Sequence, residues 1–220
     1  ITGFWAVQDQ KHFNESPPKL GAYQAYLEGR KYWGLDYQQV EEYFLMAYKI
    51  DSTFVAPLVE LVVSKINQSD YYGADSLLNF VMLKSDQLSK AHQLQMKAYE
   101  AQLNGNLEES VSYWEKIYAI DDQEFITVTN LSRQYLNTNQ VSKALTILED
   151  YDVSYLDFQE CIPCQEYYEL LTFAHYQNGN FQKVIQTVDR SEFELREGLI
   201  ANYYLKSLVH IGDYDKAYEK

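Results

Sequence analysis

Long apolar runs are missing from this 220-residue chain. The best stretch, residues 54–66, is interrupted by Pro57, Glu60, Ser64 and Lys65, well short of the ~20 apolar residues that span a bilayer. Direct membrane insertion is therefore not expected. Basic charge is also scarce: 18 Lys and Arg face 32 Asp and Glu, a formal net charge of −14. Such a field repels phosphate backbones and anionic lipid, so no nucleic-acid partner is expected. The sequence starts at Ile1 with no methionine and no basic segment leading into an apolar one, which points to a fragment or processed form. Catalytic signatures are absent too: no phosphate-cradling loop, dinucleotide loop, nucleophile elbow or zinc-binding His-Glu-x-x-His. No enzyme activity and no cofactor are expected.

What the chain does hold is apolar and aromatic surface, 46% and 15% of residues, with 21 tyrosines. That is enough to bury an extended core and excludes general disorder. Tyrosine packs at one end and stays wet at the other. Residues 1–20 lack helical periodicity and end at Pro17-Pro18, which predicts an extended arm with a short helical turn around residues 6–11.

From Gly21 the apolar residues recur at three- and four-residue steps, the helical period. Tyr23, Tyr26, Leu27, Tyr32 and Trp33 define a first helix; Val40, Tyr43, Phe44, Ala47 and Tyr48 a second. Leu103-Asn104-Gly105-Asn106-Leu107 reads as a helix stop, a glycine turn and a new start. The motif returns at Asn178-Gly179-Asn180-Phe181 and Ile211-Gly212-Asp213-Tyr214. Aligned on the residue after each turn, Tyr37, Tyr71, Leu107, Val141, Phe181 and Tyr214 are spaced by 34, 36, 34, 40 and 33 residues. Three residues beyond each anchor comes a short side chain: Val40, Ala74, Ser110, Ala144, Val184 and Ala217. Four further on comes a larger apolar one: Phe44, Leu78, Trp114, Leu148 and Val188.

A period near 34 with two helices per unit resembles the tetratricopeptide repeat family from about Gly21 onward. The resemblance implies an all-α, right-handed superhelix of stacked antiparallel helix pairs, a solenoid of about five and a half repeats. The units are placed at residues 21–52, 54–86, 88–122, 124–152, 161–191 and 194–220, the last truncated. Departures are visible. Ser69-Asp70 stands where a turn glycine is expected, Ser52 and Asp122 replace closing prolines, and the Val141–Phe181 unit holds about six extra residues around 150–160. A longer second helix or a loop is expected there. Phe4-Trp5-Ala6-Val7-Gln8-Asp9-Gln10 and the Tyr23-x-x-Tyr26-Leu27-x-Gly29 helix are similar to the start of C-terminal repeat domains in bacterial adenylate-cyclase-type and transcription-regulator proteins. That similarity implies a signalling setting, in the bacterial cytoplasm or on the outer side of an anchored protein.

Cys161-Ile162-Pro163-Cys164 is the one reactive-looking motif. A structural pair, a local disulfide, half of a zinc site with His175, and a redox element all remain open, though the helical context lacks the βαβ frame of thiol oxidoreductases. His92 and His210 fit a groove, whereas His175 falls at a packing position. Glu41-Glu42 and Glu108-Glu109 offset the positive ends of helix dipoles. Most aromatic rings read as core. In the concave face formed by the first helices, the candidates are Tyr32, Trp33, His92, Gln95, Tyr99, Gln102, Arg133, Asn137, Glu169, Phe173, Tyr176, Asn202 and Lys206. Rings and amides on a rigid surface suit an extended peptide. Gln24, Ala25, Gly29, Gln95 and Tyr99 do not reproduce the carboxylate clamp of co-chaperone repeats. The expected function is thus a non-enzymatic scaffold binding a protein or peptide. The alternatives are a ligand-sensing or self-associating regulatory tail, with homo-oligomers formed through the truncated last repeat, and a small-molecule or redox protein using Cys161 and Cys164.

Overall fold

The computed structural model describes residues 17–122, 124–154, 164–190 and 198–218. The expected turn at 6–11, the Phe4–Gln10 segment and Cys161 lie outside the described residues, as does the side chain of Cys164. The described chain is all-α. Its helices are α1 (Leu20–Lys31), α2 (Tyr37–Ile50), α3 (Ala56–Asn67), α4 (Tyr71–Met82), α5 (Lys90–Leu103), α6 (Leu107–Tyr118), α7 (Phe125–Asn137), α8 (Val141–Asp150), α9 (Cys164–Gln177), α10 (Phe181–Arg190), α11 (Leu199–Ile211) and α12 (Tyr214–Tyr218). They form two compact units, residues 1–117 and 118–220. In each, an odd-numbered first helix is followed across a tight turn by an even-numbered second helix.

The turns explain why each pair starts and stops where it does. Five of them use the same two bonds. The amides of Asp70, Asn106, Gln140, Asn180 and Asp213 donate to carbonyls five residues back at 2.7–3.0 Å. The amide just before each of these donates three residues back at 2.9–3.1 Å. This closes the last carbonyls of the first helix and requires one left-handed residue. Gly105, Gly179 and Gly212 supply it at φ of +77°, +73° and +81°. Where glycine is lacking, Ser69 and Asn139 adopt it instead, at +61° and +58°. The missing glycine of the second unit therefore changes the residue and leaves the geometry alone. The α1–α2 turn is two residues longer than the α3–α4 turn: Gly34 takes φ +78° and the amide of Asp36 returns to the Tyr32 carbonyl at 2.9 Å. The starts are capped by Asp36, Asp70, Ser89 and Asp213, whose side chains accept amides of the first turn.

Packing follows the aligned positions. Val40, Ala74, Ser110, Ala144 and Val184 are all fully buried, so partner helices approach closely. Phe44, Leu78, Trp114, Leu148 and Val188 fill the space beside them, each large side chain contributing about 1.5–3 kcal/mol on burial. Gly29 makes a second close approach: a Cβ there would sit 2.6 Å from Phe44 Cδ1. Asp51, at the end of α2, accepts the amides of Lys19 (2.9 Å) and Thr53 (3.1 Å), fixing both α1 and the chain leading into α3. In residues 118–220, the Tyr167 hydroxyl donates to the Leu148 carbonyl at 2.7 Å, satisfying an acceptor near the end of α8. Ile185, Val188, Ile200, Tyr204 and Leu208 form one core cluster there.

Two expectations change. Tyr32 and Trp33 lie beyond the end of α1, in the turn. The α8 helix has ten residues, so the insertion does not lengthen it. The extra residues follow Asp150, and Tyr151 already returns to the core.

Candidate functional site

The first helices present the surface on which the candidate residues were placed, and each unit arranges them differently. In residues 1–117, Tyr32 stacks on Tyr43 at 5.7 Å and 7°, and Trp33 lies over Phe44 at 6.2 Å. Both rings are half-buried against α2. Tyr99 is only 4% exposed and packs edge-on against Trp114 at 5.7 Å, so it belongs to the core. A ring sealed there has no face for a partner. His92, Gln95 and Gln102 are half-buried on α5. The polar contact between first helices is made by residues outside the candidate set: Tyr26 Oη donates to Glu60 Oε1 at 3.2 Å, with the Arg30 guanidinium 5.9 Å from the Tyr26 ring. Burial first, then the Glu60 charge, pushes the Tyr26 hydroxyl far above its ordinary range.

In residues 118–220 the candidates converge. Phe173 and Tyr176 of α9 meet Tyr203 of α11 at 5.3 and 4.8 Å between ring centres. Tyr176 also touches Phe181, the first residue of α10, at 5.7 Å. Phe181 in turn stacks flat on His210 at 4.2 Å and 2°. Phe173, Tyr176, Phe181 and Tyr203 are half-buried and His210 is exposed, so the cluster keeps a solvent-facing side. Arg133 of α7 pairs with Glu166 of α9 and donates to Asn130 Oδ1 at 3.1 Å. Glu169 accepts from the Gln165 amide at 3.0 Å. Asn137, Asn202 and Lys206 are exposed.

Tyr203 is the residue that sequence reasoning missed. It follows Asn202, and only the rotation of α11 against α9 selects one over the other. Phe181, the anchor that follows the turn, also proves part of the cluster.

His175 faces away from this cluster, as its packing position predicts. It is 3% exposed, with Nε2 3.7 Å from Glu149 Oε1, which also takes Lys183. Burial pushes its pKa down; Glu149 acts against that and Lys183 with it. Its Nδ1 is buried without a hydrogen-bond partner among the described residues. The carboxyls held below their ordinary range are explained by capping. Asp70 accepts the Gly73 amide and Asp152 the Ser154 amide; at Asp51 burial opposes the shift and the Lys19 and Thr53 bonds outweigh it. Tyr167 is pushed up to about 12, chiefly by burial. Among the described residues no group of three His, Cys, Asp or Glu could hold a metal ion. None of the described helices is long and apolar enough to cross a membrane.

No protein-family model matches the chain, and no curated protein matches it. Solved structures do. A Podosopora anserina putative kinesin light chain with nearly identical TPR-like repeats matches at a TM-score of 0.58 and 18% identity, covering 76% of this chain and 91% of that one. A tetratricopeptide repeat protein from Parabacteroides merdae matches at 0.52 and 11% identity, covering 91% and 77%. The fold is tetratricopeptide-like.

Proposed function

We propose that this chain is a non-enzymatic protein-interaction scaffold whose recognition surface is the first-helix side of residues 118–220. The observation that carries the reading is the cluster of Phe173, Tyr176 and Tyr203, three half-buried rings in which both α9 rings meet Tyr203 of α11. Rings fixed by their neighbours lose little entropy on binding, and a partly open aromatic surface is what an anchoring side chain seeks. Asn202 and Asn137 lie exposed on the neighbouring helices, where side-chain amides can bond an extended backbone. Capping, burial and local hydrogen-bonded pairs, such as Lys216 with Tyr204 and Asp189, account for the shifted titratable groups.

Random extended peptides displayed on phage and selected against the chain provide the test. Selected peptides should lose roughly tenfold or more in affinity with Phe173→Ala or Tyr176→Ala, the scale of an anchor residue, while circular dichroism stays unchanged. Undiminished binding by the folded double variant would remove this surface from consideration.

Self-association is a second reading, supported by the exposure of Ile211 (43%), Tyr214 (57%) and Tyr218 (91%) around α12. Sedimentation velocity on Tyr214→Glu against the parent chain separates a dimer through this end from a monomer.

A further inference from the structure

Many of the rings in this protein already carry one of its own cations. Lys143 sits 5.0 Å from the Tyr135 ring centre, Lys116 4.8 Å from Tyr113 and Lys216 5.5 Å from Tyr204. Lys84 lies 5.8 and 5.6 Å from Tyr48 and Phe80. Among the described residues no lysine or arginine covers Phe173, Tyr176 or Tyr203. Their faces bear the negative side of the ring quadrupole, which attracts a cation within about 6 Å of the centroid. An acid lies close by in sequence and on the same side of the helix: Glu169 precedes Phe173 by one turn of α9 and is half-buried. Arg133, the nearest cation on α7, is tied to Glu166. Lys206 stands exposed one turn beyond Tyr203, so it bounds the cluster on the side away from Glu169.

We infer that this cluster seats a lysine or arginine side chain of the partner protein, with the cation over the Tyr176 and Phe173 rings and Glu169 as its counter-charge. The inference rests on the first-helix side of residues 118–220 being the recognition surface, and it names the chemistry of the partner. The net charge of −14 favours the same partner at long range. A basic segment is drawn to the surface electrostatically and held by the rings.

Fluorescein-labelled peptides with lysine and serine in alternation, and matched peptides with norleucine or glutamate replacing lysine, are titrated against the whole chain by fluorescence anisotropy. The lysine peptide should bind at least about fivefold more tightly than the norleucine one, and the glutamate peptide should not bind. Tyr176→Leu should weaken the lysine peptide by a similar factor. Glu169→Gln should weaken it and flatten its salt dependence, and Lys206→Ala should tighten it. Circular dichroism confirms that each variant is folded. A norleucine or glutamate peptide that binds as well, and through Tyr176, overturns the cationic partner while leaving the surface in place. If neither Tyr176→Leu nor Phe173→Leu affects any peptide, the surface and the inference fail together. An equal loss on Asp75→Asn, far along the chain on α4, would reduce the effect to bulk charge and overturn the inference as well.

Discussion

The two units use aromatic residues in opposite ways. In residues 1–117 the rings close on one another: Tyr26 packs on Phe44 at 5.3 Å and on Phe54 at 5.4 Å, and Trp33 covers the outer side of Phe44. In residues 118–220 Tyr167 of α9 is sealed beside Phe125 and Tyr151, but Phe173 and Tyr176 of the same helix find no such cover. The second-helix position held by Phe44 in the first unit is held by Val188 in the fifth, so α10 brings less apolar volume to its first helix. Phe173 and Tyr176 turn to Tyr203 of the next first helix and stay half-open. Rings beside the first helices thus end in a sealed aromatic core in one unit and in an open aromatic surface in the other.

The largest test removes the lid of the sealed side. Phe44→Ala should cost residues 1–117 about 3–5 kcal/mol, and acrylamide should quench Trp33 more readily. An unchanged unfolding midpoint would mean that Phe44 is not what closes this core. Gly29→Ala acts at the same contact by overpacking. With its Cβ 2.6 Å from the Phe44 ring, it should cost about 1–3 kcal/mol by urea unfolding, and less in a Phe44→Leu background.

His175 distinguishes the second unit by pH. Burial holds its folded value below the ordinary 6.5. As pH falls through 6.5 the unfolded chain therefore takes up a proton that the folded chain refuses. Residues 118–220 should lose stability below that point, until the folded imidazole is protonated too. His175→Gln should flatten this slope in urea midpoints measured across the range, and an unaltered slope would assign it to other groups.

The smallest effects should be shared. Ser69→Gly on one side and Asn139→Gly on the other relieve the same left-handed strain, at φ +61° and +58°, and each should gain up to about 1 kcal/mol. Unequal gains would show that the two turns differ in more than their residue.

Much of the fold was legible before any coordinates. The small residues from Val40 to Val184 and the bulky ones from Phe44 to Val188 are buried as the repeat alignment places them, because a helix pair shorter than forty residues has one way to hide its stripe. The candidate surface was legible only in part. Phe173 and Tyr176 are on it. Tyr99 occupies the equivalent offset from its turn and yet is sealed against Trp114. Tyr32 and Trp33, counted as helix, lie in a lengthened turn of five residues, 32–36.

The sequence by itself determined the helical repeat, the phase of each helix and the left-handed turns at Gly105, Gly179 and Gly212, since these depend on local sterics and hydrogen bonding within a few residues. Whether a ring on the first-helix side ends in the core or in solvent was decided by tertiary structure alone. That outcome depends on the volume a facing helix brings and on small rotations between neighbouring helices, and neither is written in the spacing of the residues that carry the rings.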